Sequence, residues 1–334
     1  MTAFVLINTT LLAVLVATAL TISRMRALYE ATMLTALLSL VTACLFVLMD
    51  AVDVAFTEAA VGVGISTVLL LGGLSLTRSR ESVTARRRRV PGAIVAVLTG
   101  GTLIYAVQDL PGFGAAGTPI RDHPITDVYL RQSQEDIGIP NTVTSVLASY
   151  RGLDTLGELV VVFTAAITVL VLLGPLANPK EAGWRKDLDL VDYRVLRVVS
   201  AMLMPFILLF ALYVLFHGDF GPGGGFQAGV IFASGFVLYG LVFGLDKAQQ
   251  VLPKAVLWSL IPLGLLLFVG VGVATVLLGG SFLDYDVLSP GDPAAGQHLG
   301  ILLVESAIGL TVAAVMTSIF FSFANRRATQ GVTR

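Results

Sequence analysis

Charge is what this chain lacks most. Of its 334 residues only 13% are Asp, Glu, Lys or Arg, whereas 56% are hydrophobic and the mean hydropathy is +0.87. A soluble domain carries about a quarter of its residues charged, because it must clothe a surface that faces water. This composition excludes such a surface. Cysteine is nearly absent too: Cys44 stands alone, so no disulfide forms within the chain, and its place in an apolar run predicts a small buried hydrophobe. The net charge of −1 comes with basic residues in short blocks between apolar runs and not along one face, which excludes nucleic acid as a partner. No nucleophile constellation, metal cluster or cofactor motif is present, so covalent catalysis and a bound cofactor are not expected.

What the chain has is apolar length. A helix needs about 20 apolar residues to cross a bilayer core, and nine runs meet that need: 3–22, 28–49, 54–76, 90–107, 154–173, 198–216, 224–244, 255–278 and 298–323. The first is read as a span and not as a cleaved leader, because no basic residue precedes it. The fold class is all-α, a polytopic membrane protein of about nine transmembrane helices. With the N-terminus outside and the C-terminus cytoplasmic, every Lys and Arg except Arg121, Arg131 and Arg151 falls on the cytoplasmic side, as topogenic charge does.

The longest connections divide the chain into three parts, 1–77, 90–177 and 192–325. RSRESVTARRRR (78–89) reads as a topogenic, lipid-facing anchor. NPKEAGWRKDLDLVDYRV (178–195), with Trp184 near the headgroups, reads as an interfacial linker. In the outer loop, NTVTSVLASYRGLDT (141–155) predicts a short interfacial helix. No part has room for a nucleotide-binding or redox domain.

Four glutamates lie within spans: Glu30, Glu58, Glu158 and Glu305. An ionised carboxylate in hydrocarbon costs about 2.5 kcal/mol or more, so each needs a partner, a proton or water. Glu30 is close enough to the cytoplasmic edge to snorkel. Glu58 and Glu158 sit about one turn below the outer boundary, and Glu305 about 10 Å in. Asp53 leads towards Glu58, and Asp154 lies four residues before Glu158, so both of that pair project from one helical face. Close carboxylates raise each other's pKa, which suits a proton carrier; the same oxygens suit Na⁺. Every lysine (Lys180, Lys186, Lys247 and Lys254) is in a cytoplasmic loop, and no arginine falls inside a span. The neutralising charge is then a proton, a cation or a residue of another chain.

HGDFGPGGGFQAGVIFAS (217–234) turns the chain between the sixth and seventh spans. A phosphate-loop reading fails, for no strand precedes it and no Lys and Ser/Thr pair follows. His217 and Asp219 cap the hairpin, with His217 placed to relay protons at the outer mouth. Gly225, Gly229 and Ala233 recur every fourth residue and predict close helix packing; Gly240 with Gly244, and Ala60 with Gly64, repeat the pattern.

This hairpin and the three spans after it resemble the B-type component of the Mrp-type multisubunit Na⁺/H⁺ antiporters. DAVDVAFTEAAVGVG (50–64) resembles the D-type component of membrane-bound hydrogenases, and NTVTSVLASYRGLDTLGE (141–158) the E-type component; both are equivalent to parts of the C-terminal region of the A-type antiporter component. The resemblance implies a membrane-arm component of an assembly related to respiratory complex I, in the inner cell membrane. It implies partners of the A, C, D, E, F and G types, and H⁺ and Na⁺ as the moving ions. The family's functional glutamates match Glu58 and Glu158, with Asp53 and Asp154 at the outer mouth of a path and Glu305, His217 and Asp219 as further members. Two alternatives stay open: a component of a hydrogenase or other ferredoxin-driven ion pump, and a passive scaffold.

Overall fold

The computed structural model describes residues 2–77, 80, 86–112, 114–173 and 193–332. Nine helices among them are long and apolar enough to cross a membrane. They are α1 (Thr2–Arg24), α2 (Leu28–Leu48), α3 (Val52–Leu74), α4 (Arg86–Val107), α5 (Gly152–Leu173), α6 (Arg194–His217), α7 (Gly225–Phe243), α8 (Lys254–Leu277) and α9 (Pro293–Val332). Strands are absent among the described residues, apart from an isolated Ala27–Arg80 bridge. Most of the arginine-rich stretch 78–89, and the linker bearing Trp184, lie outside the described residues.

The core is centred on α7 and α9. Helix α9 packs against α7 on one side and α8 on another, while α6 flanks α7 and α5 lies across α8 and α9. Small residues make the central contact possible. A Cβ on Gly229 would come within 2.7 Å of the Gly309 carbonyl oxygen, and Ala233 below it is fully buried. Helices without a hydrophobic drive between them gain most where backbones touch. Gly240 meets the Phe320 ring in the same way. Gly244 does not extend that face: it has φ +98° and open space about it, and ends α7 in a turn that other residues rarely adopt. Gly64 likewise meets no neighbouring helix.

Helices α1 to α3 form a separate layer that reaches the core through α3. The middle of α3, Ala59–Ile65, is a π-helical turn, and its last turns pack on α9, where Gly72 faces Phe323. Helix α4 makes no extended contact with any other described helix, and none of its span is buried. Cys44 is exposed on α2, contrary to the expectation of a buried thiol. In a membrane helix the lipid-facing and core-facing sides are equally apolar, so hydropathy does not distinguish them.

The segment 141–150 forms the short helix expected of it and is more deeply packed than its loop character suggests. Residues Thr142–Tyr150 are helical, and one face of the segment, Asn141, Thr144, Ser145 and Ala148, is buried against the rest of the chain. It is wedged into the end of the core where α8 gives way to α9. The fully buried Tyr285 donates its hydroxyl to the Ala148 carbonyl (3.0 Å), and Ser149 Oγ bonds Gln297 Oε1 (2.8 Å). Helix α9 also starts at Pro293, before the apolar run does; the added residues end with Gln297, next to His298.

Candidate functional site

The glycine-rich hairpin builds the site. The carbonyl of His217 accepts from the amides of Phe220 (2.9 Å) and Gly221 (3.0 Å), and Gly224 N–H returns to the Val214 carbonyl (3.1 Å). A side chain on Gly223 would strike the Val214 carbonyl at 2.5 Å, and Gly224 has φ +115°. These two glycines let the chain reverse and start α7 with its first amides free. The Gly225 amide donates to Glu305 Oε2, and a Cβ on Gly224 would lie 3.1 Å from the same oxygen. The hairpin is therefore a cradle, and its occupant is a carboxylate of the same chain, held by the positive end of α7. The other carboxylates whose charge reaches Glu305 are Asp219 and Glu158.

Above Glu305, Asp219 is buried and its Oδ2 lies 2.6 Å from Nδ1 of His298, one α9 heptad before Glu305. Burial pushes the Asp219 carboxyl up from its ordinary value, and the charge and hydrogen bond of His298 oppose the shift. The native state thus holds this proton more tightly than the unfolded chain. Asp219 adds stability that is complete below the ordinary carboxylate range and is lost as pH rises through the raised native value. Replacing His298 by Leu removes the offsetting group. The resulting fall in unfolding temperature is expected to be larger at about pH 7 than at about pH 4; equal falls would show that the pair has no electrostatic role.

Asn141 ties this hairpin to the other layers. Its Nδ2 bonds the carbonyls of Gly218 (3.0 Å) and Gly221 (2.9 Å) and Oδ1 of Asp53 (3.3 Å), and its own amide donates to the Asp219 carbonyl (3.0 Å). Gln227, one turn into α7, donates to Thr57 Oγ1 at 2.7 Å, beside Glu58. Glu58 ends the α-helical part of α3, and its carboxylate folds over Gly62, where a Cβ would lie 2.8 Å from Oε1 and 2.5 Å from Ser39 Oγ of α2. The π turn that follows adds a residue to one helical turn, and Thr67 Oγ1 reaches back five residues to the Gly62 carbonyl (3.2 Å).

The structure therefore brings Asp53, Asp219 and Glu305 to one junction at the α6–α7 hairpin, with His217 stacked on Tyr213 (ring centroids 5.0 Å apart) at its edge. Glu158 is exposed on α5, near enough for its charge to bear on Glu305, and Gly157 beside it is open. Asp154 is exposed too, and has a counterion that sequence reasoning did not assign: Arg151 Nε lies 2.7 Å from its Oδ2, because α5 starts between them and puts the two three residues apart on one face. Asn141, Gln227 and His298 were also missed. Their partners lie far off in sequence, and polar residues near loops carry no period that would mark them. Among the described residues no three His, Cys, Asp or Glu side chains converge as a metal site.

Three family descriptions match successive parts of the chain: the D-type component of MBH over residues 13–79, the E-type component of MBH over 87–183, and a domain related to the MnhB subunit of Na⁺/H⁺ antiporter over 195–318. The A/B-type component of a probable K⁺/H⁺ antiporter of Rhizobium meliloti is 27% identical over 290 residues, covering 77% of this chain and 28% of the relative. The putative antiporter protein mnhB2 of Staphylococcus haemolyticus is 32% identical over 136 residues, which are 40% of this chain and 96% of that protein. Among solved structures, a chain of the Mrp complex from Dietzia sp. DQ12-45-1b superposes with a TM-score of 0.76 at 26% identity, over 94% of this chain and 34% of that one. The membrane-bound sulfane sulfur reductase, an archaeal respiratory membrane complex, gives a TM-score of 0.53 at 27% identity, over 70% of this chain and 97% of the other. The chain spans about a third or less of the larger relatives it matches along most of its length. With all three parts in this order and its B-type part matching the staphylococcal protein over nearly all of that protein's length, the chain belongs to the family of Mrp-type antiporter subunits.

Proposed function

We propose that the chain is a membrane subunit of a multisubunit cation/proton antiporter, to which it contributes carboxylates of a proton or Na⁺ path. The observation that carries this reading is the outer junction, where carboxylates of two sequence-distant layers, Asp53 and Glu305, meet one hairpin through Asn141 and the Gly225 amide. Glu58 lies one helical turn beyond Asp53, and Glu158 leads from the outward face of α5. An exposed glutamate in a span needs a protein neighbour or water, since facing lipid costs about 2.5 kcal/mol or more. Its face of α5 therefore meets another subunit of the assembly or a hydrated passage. The A-, C-, D-, E-, F- and G-type subunits are the partners this reading implies. The basic residues fit an orientation with the N-terminus outside and the C-terminus cytoplasmic, in the inner cell membrane. The parts 1–77, 90–177 and 192–325 act as three fused units.

The test replaces Glu58 and Glu158 by Gln in the intact complex and follows cation-driven proton movement in everted vesicles with a pH-sensitive dye. Each variant is expected to lower the rate about tenfold or more while the subunits still copurify, because an amide can neither carry a proton nor neutralise a cation. Unchanged rates in both would favour a scaffold. A redox-driven pump is the second reading, motivated by the likeness to the sulfane sulfur reductase. Metal-cluster proteins copurifying with the chain would establish it in place of the antiporter.

A further inference from the structure

We propose that Asn141 is a positioning residue for ion transport: it fixes the Asp53 carboxylate against the α6–α7 hairpin, so that the outer end of the path is assembled only while this one side chain bridges them. The proposal rests on the antiporter reading above.

Asn141 is buried, and every polar group it owns is engaged. Its Oδ1 accepts from Val143 N–H (3.0 Å), capping the short helix, and its carbonyl accepts from Ser145 N–H (3.0 Å) and Ser145 Oγ (3.2 Å). Those bonds are local and fix the residue in place. The remaining ones reach across the molecule. Its Nδ2 faces three acceptors, at Gly218, Gly221 and Asp53, with two hydrogens to share. The bond to Asp53 is the longest at 3.3 Å, and is the one a small displacement of the hairpin would break. Thr144 Oγ1 adds a second bond to the Gly218 carbonyl (2.7 Å), so the hairpin keeps a tie without Asn141, whereas no other hydrogen bond to the Asp53 carboxylate is seen among the described residues. Folding and positioning are thus separable at this site.

Two variants in the intact complex exploit the separation. Asn141→Asp keeps the size and the oxygen that caps Val143, but removes the donor to Asp53, Gly218 and Gly221 and sets a second carboxylate beside Asp53, while Thr144 still holds the Gly218 carbonyl. Asn141→Ala removes both oxygen and donor. Both are expected to raise the Na⁺ concentration for half-maximal antiport about fivefold, the scale of one lost hydrogen bond to a charged group, with subunits copurifying as before. Asp53→Asn is expected to do the same, and Asn141→Ala with Asp53→Asn to be no worse than Asp53→Asn alone. Additive effects, or an Asn141→Asp variant with wild-type Na⁺ dependence, would overturn the proposal. Hydrogen exchange of the 218–224 amides gives a separate reading: faster exchange in Asn141→Ala with unaltered Na⁺ dependence reduces Asn141 to a structural clasp. Failure of the antiporter reading looks different, because Glu58→Gln and Glu158→Gln would then transport normally whatever is done at position 141.

Discussion

Alanine at Gly225 is expected to separate α7 from α9 and to do more damage than any other single methyl group in the chain. The added Cβ would run into the main-chain carbonyl of Glu305, and neither partner can yield, since both are backbone atoms of packed helices. Overpacking of this kind costs about 1–3 kcal/mol where side chains can shift, and more where they cannot. The variant also disturbs the amide that Glu305 uses. The purified chain should show a lower unfolding temperature by several degrees, and the complex should be recovered in poor yield. Gly100→Ala on α4 is the control. Nothing lies within 4 Å of that position, and alanine is the better helix former by about 1 kcal/mol, so this variant should be neutral or slightly stabilising. Equal behaviour of the two variants would mean that the close approach of α7 and α9 is not what holds the core.

The second large effect is expected at Glu305, where two substitutions pull structure and ion transport apart. Glutamine keeps an oxygen for the Gly225 amide and fits the same cradle, so assembly and unfolding temperature should stay near those of the parent. Antiport in vesicles should nevertheless fall about tenfold or more, since the group that exchanges charge with the path is gone. Leucine removes the acceptor altogether. It leaves the first amide of α7 without its partner, which costs about 1–3 kcal/mol where water is excluded, and it should lower both stability and transport. A fully active Gln variant would reduce Glu305 to a helix cap supplied from 80 residues away.

Much of the architecture was legible because the bilayer imposes it. Length and hydropathy located the nine helices, and the four-residue spacing of Gly225, Gly229 and Ala233 foretold a close helix contact. The partner was not foretold. Nothing in the pattern at 225–233 names α9, since every helix here is apolar on all sides. The same uniformity hid the exposure of Cys44. The burial of Asn141 and Thr144 escaped the pattern for a different reason: both are polar and sit in a stretch of loop character, yet their bonds to residues 74 to 88 positions away carry them inside. Of the acidic residues singled out, Asp53, Asp219 and Glu305 converge, whereas the basic partners His298 and Arg151 have no period or motif to announce them.

Helix α4 has consequences for how the protein is made. Most of its siblings leave the insertion machinery and soon meet a neighbour encoded by the same message, but this rod makes no extended contact with any of the described helices. In the multisubunit assembly proposed above, its companion would be another chain, and synthesis in step with that assembly would matter most for this stretch. A cell making the chain in surplus would then accumulate copies with one unclaimed rod.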